Sequence, residues 1–366
     1  VISSIKNRIR PDVQAMHAYV VQPSTGFVKL DAMENPFTLP LELQAALGAR
    51  LGAVAVNRYP GTRIEELKAA LAAYVDLPQG TSLMLGNGSD ELIDLLHVAG
   101  NIAGATVLAP EPGFVMYAVS ATLTGLNFVG IPLRPDFELD EAAMLAAVAR
   151  YSPAITYIAY PNNPTANLWE ARAIKNIIAA CADIGGLVVM DEAYQPFSST
   201  SWLDEIRANP AQNANVLLMR TLSKFGLAGV RLGYMVGSEA LIAEIDKVRP
   251  PYNVSVLNAE CALFALENSA VFAAQAQEIR TQRAMLFDAI CKLPGLTPYP
   301  SEGNMMLIRL AGNPERTAHV FEGIKARGVL VKNVSKMHPL LSGCLRLTVG
   351  TADENRQLLA ALEASL

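Results

Sequence analysis

The sequence predicts an α/β chain: a large unit built on a mostly parallel sheet between helices, followed by a smaller α+β unit. Three observations carry this. From about residue 65 to 250, apolar runs of strand length alternate with segments of helical period, the pattern of a sheet wrapped by helices. The strand runs are apolar on both faces, as buried parallel strands must be. The alternation then gives way to two long helical patterns and a set of short strands and helices. A chain of 366 residues is long enough for both units. The expected division is an N-terminal arm at 1–50 that packs with the small domain, a large domain at 51–265, and a small C-terminal domain at 266–366.

In chain order, Glu65 to Tyr74 has helical period, and Ser82-Leu-Met-Leu85 is a strand. A glycine loop and the helix Glu91 to Val98 follow, then the strand Thr106-Val-Leu-Ala109. Pro112 to Leu133 has no charge and is long enough to span a membrane, but Pro112, Gly113, Gly125 and Pro132 interrupt it. It reads instead as a short helix, a turn at Gly125-Leu-Asn127 and a buried strand ending at Ile131. Ala154 to Tyr160 is an apolar strand, Trp169 to Ala182 a helix, and Leu187-Val-Val-Met190 and Val216-Leu-Leu-Met219 are short buried strands. In the last third, Leu257 to Leu266 and Val271 to Leu293 are helices. A strand near Asn304 to Leu310, a helix near Glu315 to Ala326, short strands near Val329 to Lys332 and Cys344 to Val349, and a helix from Ala352 complete the chain.

Composition excludes several function classes. A formal net charge of −5 argues against a general nucleic-acid binder. The four cysteines, Cys181, Cys261, Cys291 and Cys344, have neither zinc-site nor disulfide-framework spacing. Val1 to Pro11 has no continuous apolar stretch of a secretion signal, so a cytoplasmic location is expected, without a membrane partner. His17, His97, His319 and His338 lack metal-ligand spacing, so no metal is expected. His97, Met305 and Met306, and Trp169 and Trp202 read as packing residues.

Four segments can carry chemistry. Gly86-Asn-Gly-Ser-Asp90 lies between a strand and a helix, where backbone N–H groups and the helix dipole suit a phosphate; a capped tight turn explains it equally well. Glu91 stands where a dinucleotide fingerprint needs glycine. Tyr160-Pro-Asn-Asn-Pro164-Thr ends a buried strand, where open α/β sheets bind ligands, and Asn163 offers an amide. Asp191-Glu-Ala-Tyr194 puts a carboxylate at a buried strand end, suited to a structural ion pair or to a cationic ring nitrogen. Thr221-Leu-Ser-Lys224 puts a lysine after another, where desolvation would lower its pKa, and Arg231 follows. Alone, each has a bland reading. Together, Asn163, Asp191, Lys224 and Arg231 supply what pyridoxal phosphate requires. These are an amine for the Schiff base, a carboxylate for the pyridine nitrogen, donors for the phenolic oxygen, and a phosphate cup.

On these segments the chain resembles the fold-type-I, pyridoxal-phosphate-dependent aminotransferases of class I/II. Leu30-Asp-Ala-Met-Glu-Asn-Pro36, Arg58-Tyr-Pro60 and Leu341 to Gly350 make it most similar to the histidinol-phosphate branch of that family. The resemblance implies pyridoxal 5'-phosphate as cofactor and a cytoplasmic homodimer in histidine biosynthesis. It would move the amino group of L-histidinol phosphate to 2-oxoglutarate, giving imidazole-acetol phosphate and glutamate. It implies that Lys224 bonds the cofactor, Asp191 pairs with its ring nitrogen, and Asn163 and Tyr194 bind its phenolic oxygen. Ser89, Asp90, Ser223 and Arg231 would hold its phosphate, and Phe114 would stack on its ring. Tyr59 would reach into the neighbouring subunit's site. Arg346, helped by Lys332, would bind the substrate anion, with Tyr19, Asn35, Tyr59 and Asn163 around the substrate. The sequence departs from the family pattern at Phe114, often a tyrosine, at Lys332, an arginine in some members, and at Ala166, usually a glycine. A shifted turn after Thr165 is expected from the last. An aromatic amino-acid aminotransferase, a decarboxylase of the threonine-phosphate type and a non-catalytic cofactor-binding module are the rival readings.

Overall fold

The computed structural model describes residues 8–18 and 22–366. After a short helical turn at Pro11–Ala15, the N-terminal part contributes strand β1 (Val28–Lys29) and helix α1 (Leu41–Gly52). Helix α2 (Arg63–Tyr74) leads to β2 (Thr81–Gly86), α3 (Ser89–Ala99), β3 (Thr106–Glu111), α4 (Met116–Thr124) and β4 (Asn127–Pro132). Then come α5 (Glu141–Tyr151), β5 (Ile155–Ala159), α6 (Ala171–Asp183), β6 (Leu187–Asp191), α7 (Trp202–Ala208), β7 (Val216–Thr221), β8 (Gly233–Ser238) and α8 (Glu239–Ile245). Helices α9 (Val256–Glu267) and α10 (Ser269–Ile290) precede β9 (Leu296–Pro298), β10 (Met305–Leu310), α11 (Pro314–Ala326), β11 (Val329–Leu330), β12 (Lys332–Asn333), β13 (Cys344–Thr348) and α12 (Ala352–Glu363).

The large sheet has seven strands in the order β2-β8-β7-β6-β5-β3-β4. Strands β4, β3, β5, β6 and β7 run parallel, and β8 is antiparallel to both its neighbours. The apolar strands are buried from both sides because successive side chains alternate faces. In β6, Val188 and Met190 join one core cluster and Val189 joins another across the sheet. Each such side chain contributes roughly 1.5–3 kcal/mol when fully buried. Because five strands are parallel, the carboxyl ends of β5, β6 and β7 open at one edge, where open α/β sheets bind ligands.

A second sheet, β12-β13-β10-β9, is antiparallel, and β1 pairs in parallel with β11. Helix α1 packs instead on α9, where Glu260 accepts from Arg50 at 2.7 Å and from Arg63 at 2.5 Å.

Some expectations need correction. The strand expected to be buried before Ile131 is β4, only half-buried, because it is the edge of its sheet. Strands β1, β8 and β9 and helices α1, α5, α7 and α8 are elements that the sequence pattern does not predict. Met305, Met306, His97, Trp169 and Trp202 are all buried. Among the described residues no single helix is long and apolar enough to cross a membrane.

Candidate active site

A cavity of about 120 Å³ lies at the carboxyl edge of the large sheet. Polar residues at or just beyond the ends of the apolar strands reach that edge. Asp191 is the last residue of β6, Asn163 follows β5, and Ser223 and Lys224 follow β7. Phe114 follows β3, Ser89 and Asp90 open α3, and Tyr194 and Arg231 complete this wall. The structure thus brings together nine of the residues expected at the cofactor from separate stretches of chain.

The neighbouring carboxylates Asp191 and Glu192 part company because successive side chains of an extended strand diverge. Asp191 faces the cavity. Glu192 takes the structural ion pair, accepting from Arg220 at 2.8 Å and from Ser201 at 3.0 Å. Asp191 Oδ1 accepts from the Ala193 N–H at 3.0 Å, and Oδ2 from the Tyr117 hydroxyl at 2.6 Å. Burial nevertheless pushes its carboxyl up to about 6.

Lys224 donates from Nζ to the Ala32 carbonyl at 3.1 Å. Burial pushes its ammonium down to about 8, and the Arg346 cation adds to the fall. Asn163 bridges two functional groups: its amide donates to Tyr194 Oη at 2.9 Å, and its Oδ1 accepts from Arg346 Nη1 at 2.7 Å. The Tyr194 hydroxyl, accepting from Asn163, has its own proton to give to a ligand oxygen. Arg346 also donates to the Asp31 carbonyl at 2.8 Å, so the N-terminal arm closes this wall.

The phosphate end is a cradle around the start of α3. Gly88 caps that helix with a φ of +90° and no side chain over its first N–H groups. A Cβ at Gly88 would lie 2.7 Å from Arg231 Nη2, and one at Gly233 would lie 2.8 Å from the Ser89 nitrogen. Both glycines therefore keep the cradle open for Arg231 and the helix end. Arg231 donates to Ser223 Oγ and to Asp90 Oδ2, each at 3.2 Å. Hydroxyls, a guanidinium and uncapped N–H groups fit a phosphoester, which would share Arg231 with Asp90.

Other expected residues sit elsewhere. Lys332 lies directly across from Arg346 in the β12–β13 pair, so the two cations share one face of that sheet. Asn35 uses its amide on the Phe225 carbonyl and Gln275, tying the arm to α10. Tyr59 is 75% exposed and stacks on Tyr252, with ring centroids 4.2 Å apart, away from the cavity. Tyr19 falls outside the described residues. Ala166 has a φ of +61°, the left-handed backbone that glycine favours, so the alanine occupies a glycine-type turn. Sequence reasoning missed Tyr117 and the arm carbonyls of Asp31 and Ala32. The one signal for Tyr117 is its place three residues after Phe114, one helical turn on.

Comparison with known proteins shows the family. The profile of the family Aminotransferase class I and II matches residues 25–362. A histidinol-phosphate aminotransferase of Polaromonas naphthalenivorans is 65% identical over 362 residues, covering 99% of this chain and 97% of the relative. One from an Acidovorax species is 64% identical over 360 residues, covering 98% of this chain and 97% of the relative. The crystal structure of histidinol-phosphate aminotransferase from Sinorhizobium meliloti, in complex with pyridoxal-5'-phosphate, superposes with a TM-score of 0.85 at 24% identity. That superposition covers 97% of this chain and 96% of the other, and it establishes the shared fold. From the family match across nearly the whole sequence, the chain belongs to the class I and II aminotransferases.

Proposed function

We propose that the protein is a pyridoxal-5'-phosphate-dependent aminotransferase that converts L-histidinol phosphate and 2-oxoglutarate to imidazole-acetol phosphate and glutamate, in histidine biosynthesis. The cofactor supplies an aldehyde that links to amines and a ring that withdraws electrons while its nitrogen is protonated. In this reading Ser89, Asp90, Ser223, Arg231 and the α3 N-terminus hold the phosphate, and Phe114 covers the ring. Asp191, anionic above about pH 6, faces the ring nitrogen. Tyr194, braced by Asn163, donates to the phenolic oxygen. Lys224, with its amine tuned to about 8, is neutral in a useful fraction near neutral pH and carries protons to and from the substrate carbon.

The observation that carries the substrate assignment is the pair of cations, Arg346 and Lys332, opposite each other in register and joined to the cofactor wall through Asn163. A guanidinium donates paired hydrogen bonds to a phosphate or a carboxylate, so one pocket serves both half-reactions. We further propose a cytoplasmic homodimer in which the exposed Tyr59 completes the partner's site. The division into an arm at 1–50, a large domain at 51–265 and a small domain at 266–366 belongs to the same reading.

A spectral titration tests the substrate. The protein loaded with pyridoxal phosphate receives histidinol phosphate, glutamate, phenylalanine or threonine phosphate, and the visible cofactor band is followed. Bleaching by histidinol phosphate at far lower concentration than phenylalanine is expected. An equal response to phenylalanine would assign a broad aromatic aminotransferase, and release of CO₂ from threonine phosphate would assign a lyase.

A further inference from the structure

The bond between Tyr117 and Asp191 has no part in the chemistry described above, yet it joins two buried groups. Tyr117 is 2% exposed and lies in the first turn of α4. Phe114 stands three residues earlier, in the turn that leads into the helix. The two rings meet edge to face, 5.5 Å apart at 82°. On its other side the Tyr117 ring lies flat on Tyr157, 4.1 Å away at 12°. Tyr157 is itself pinned by its hydroxyl, 3.0 Å from His97 Nε2. Packed between two aromatic rings, Tyr117 cannot swing away, so its hydroxyl is a fixed donor aimed at Asp191 Oδ2.

A phenol that donates to a carboxylate stabilises the charged form and makes the carboxylate a weaker base. Around Asp191, burial and the negative charges of Asp90 and Glu192 act the other way. The Tyr117 hydroxyl and the Ala193 N–H oppose them. Any proton shared between Asp191 and a ring nitrogen is divided according to the relative basicity of the two.

We propose that Tyr117 is a positioning residue for Asp191: its hydroxyl fixes the carboxylate and keeps it a weak base, so that a pyridine nitrogen bound against it retains its proton. The inference rests on the cofactor reading above and adds a residue to it.

The test compares Tyr117→Phe with Tyr157→Phe. Each variant removes one hydroxyl from the same stack, but only the first touches Asp191. Pyridoxal phosphate labelled with ¹⁵N in the ring is bound to each protein, and the nitrogen resonance and the dissociation constant are measured. Tyr117→Phe should move the resonance toward that of a neutral pyridine and weaken cofactor binding roughly tenfold. Tyr157→Phe should leave both at their original values. A folded Tyr117→Phe protein with unchanged resonance and affinity overturns the proposal, and so does an equal change in both variants, which would assign the effect to packing. The unsubstituted protein gives an independent check, because a neutral ring nitrogen there at pH 8 overturns the proposal without any variant. Failure of the unsubstituted protein to take up pyridoxal phosphate would instead bring down the cofactor reading, and this inference with it.

Discussion

Asp191 and Tyr59 both carry an expected role at the cofactor, yet their settings are opposite. Asp191 is 5% exposed, with hydrogen bonds to both oxygens, while Tyr59 is 75% exposed and rests on Tyr252. The same contrast divides the whole site. On the inner side, Asp191 and Lys224 have acidities moved by burial, because few partners offset the loss of water. On the outer side, Arg231 and Tyr59 are open to solvent. The inner half is hydrogen-bonded within one chain, whereas the outer half is open. Inner substitutions should therefore act on chemistry, and outer ones on binding and assembly.

The largest expected effect is at Lys224. Lys224→Ala should bind pyridoxal phosphate without a covalent link and lose turnover by about a thousandfold or more, measured as amino transfer at saturating substrate. In the unsubstituted protein, borohydride trapping of the aldehyde at Lys224 should rise with pH around a midpoint near 8. The same depressed value fixes the sign of a stability effect. From about pH 8 to 10.5 the unfolded chain holds the lysine proton more tightly than the folded one, so the cofactor-free protein gains stability as pH rises through that window. A trapping midpoint at the ordinary lysine value would remove the physical distinction between inner and outer groups.

Arg346 joins the two halves, since it is buried but aimed at the substrate's anionic group in the proposed reading. Arg346→Ala should lower kcat/KM for histidinol phosphate about a hundredfold while cofactor uptake persists. Lys332→Ala should cost less, roughly tenfold, because a flexible ammonium gives charge without a fork. Loss of cofactor from Arg346→Ala would mean that its bond to Asn163 governs the inner wall instead.

How far the sequence could be read follows the same divide. Asn163, Asp191 and Lys224 were legible because buried strands announce their own ends, and a polar residue there must have a reason. The strand pattern alone does not say which of Asp191 and Glu192 faces the cavity, since that depends on which side of the sheet the ligand lies; only the family resemblance singles out Asp191. Tyr117 was illegible because its role depends on how α4 turns against β6, a tertiary fact. Helix α1 is a different case: none of its residues is buried, so no core face marks it out. Lys332 and Arg346 could be suspected from the sequence, but only strand register makes them neighbours.

Tyr59 tests the outer half directly. Tyr59→Ala should weaken cofactor binding roughly tenfold, the worth of one hydrogen bond to a charged group. Lys224→Ala and Tyr59→Ala proteins, mixed and allowed to exchange subunits, should form hybrids with one site carrying both native residues. Activity should then exceed the sum of the two separate preparations. No recovery in a mixture shown to contain hybrids would place Tyr59 outside the partner's site.

The smallest expected effect lies in the turn behind Asn163, at Ala166. Its backbone is left-handed and its side chain is fully buried, with the Ala166 N–H bonded to the Asn162 carbonyl at 2.8 Å and its own carbonyl accepting from the Glu302 N–H at 2.7 Å. An L-residue in that conformation costs roughly 1–2 kcal/mol, which glycine would relieve. Glycine would also give up about 0.8 kcal/mol of buried methyl group and add flexibility to the unfolded chain. These terms nearly cancel, so Ala166→Gly should change unfolding stability by less than about 1 kcal/mol in a urea titration. Ala166→Val should cost well over about 2 kcal/mol, because a branched side chain has neither the backbone nor the space. A large loss with glycine would show that the methyl group holds this turn, and equal tolerance of valine would show that the turn is free to move.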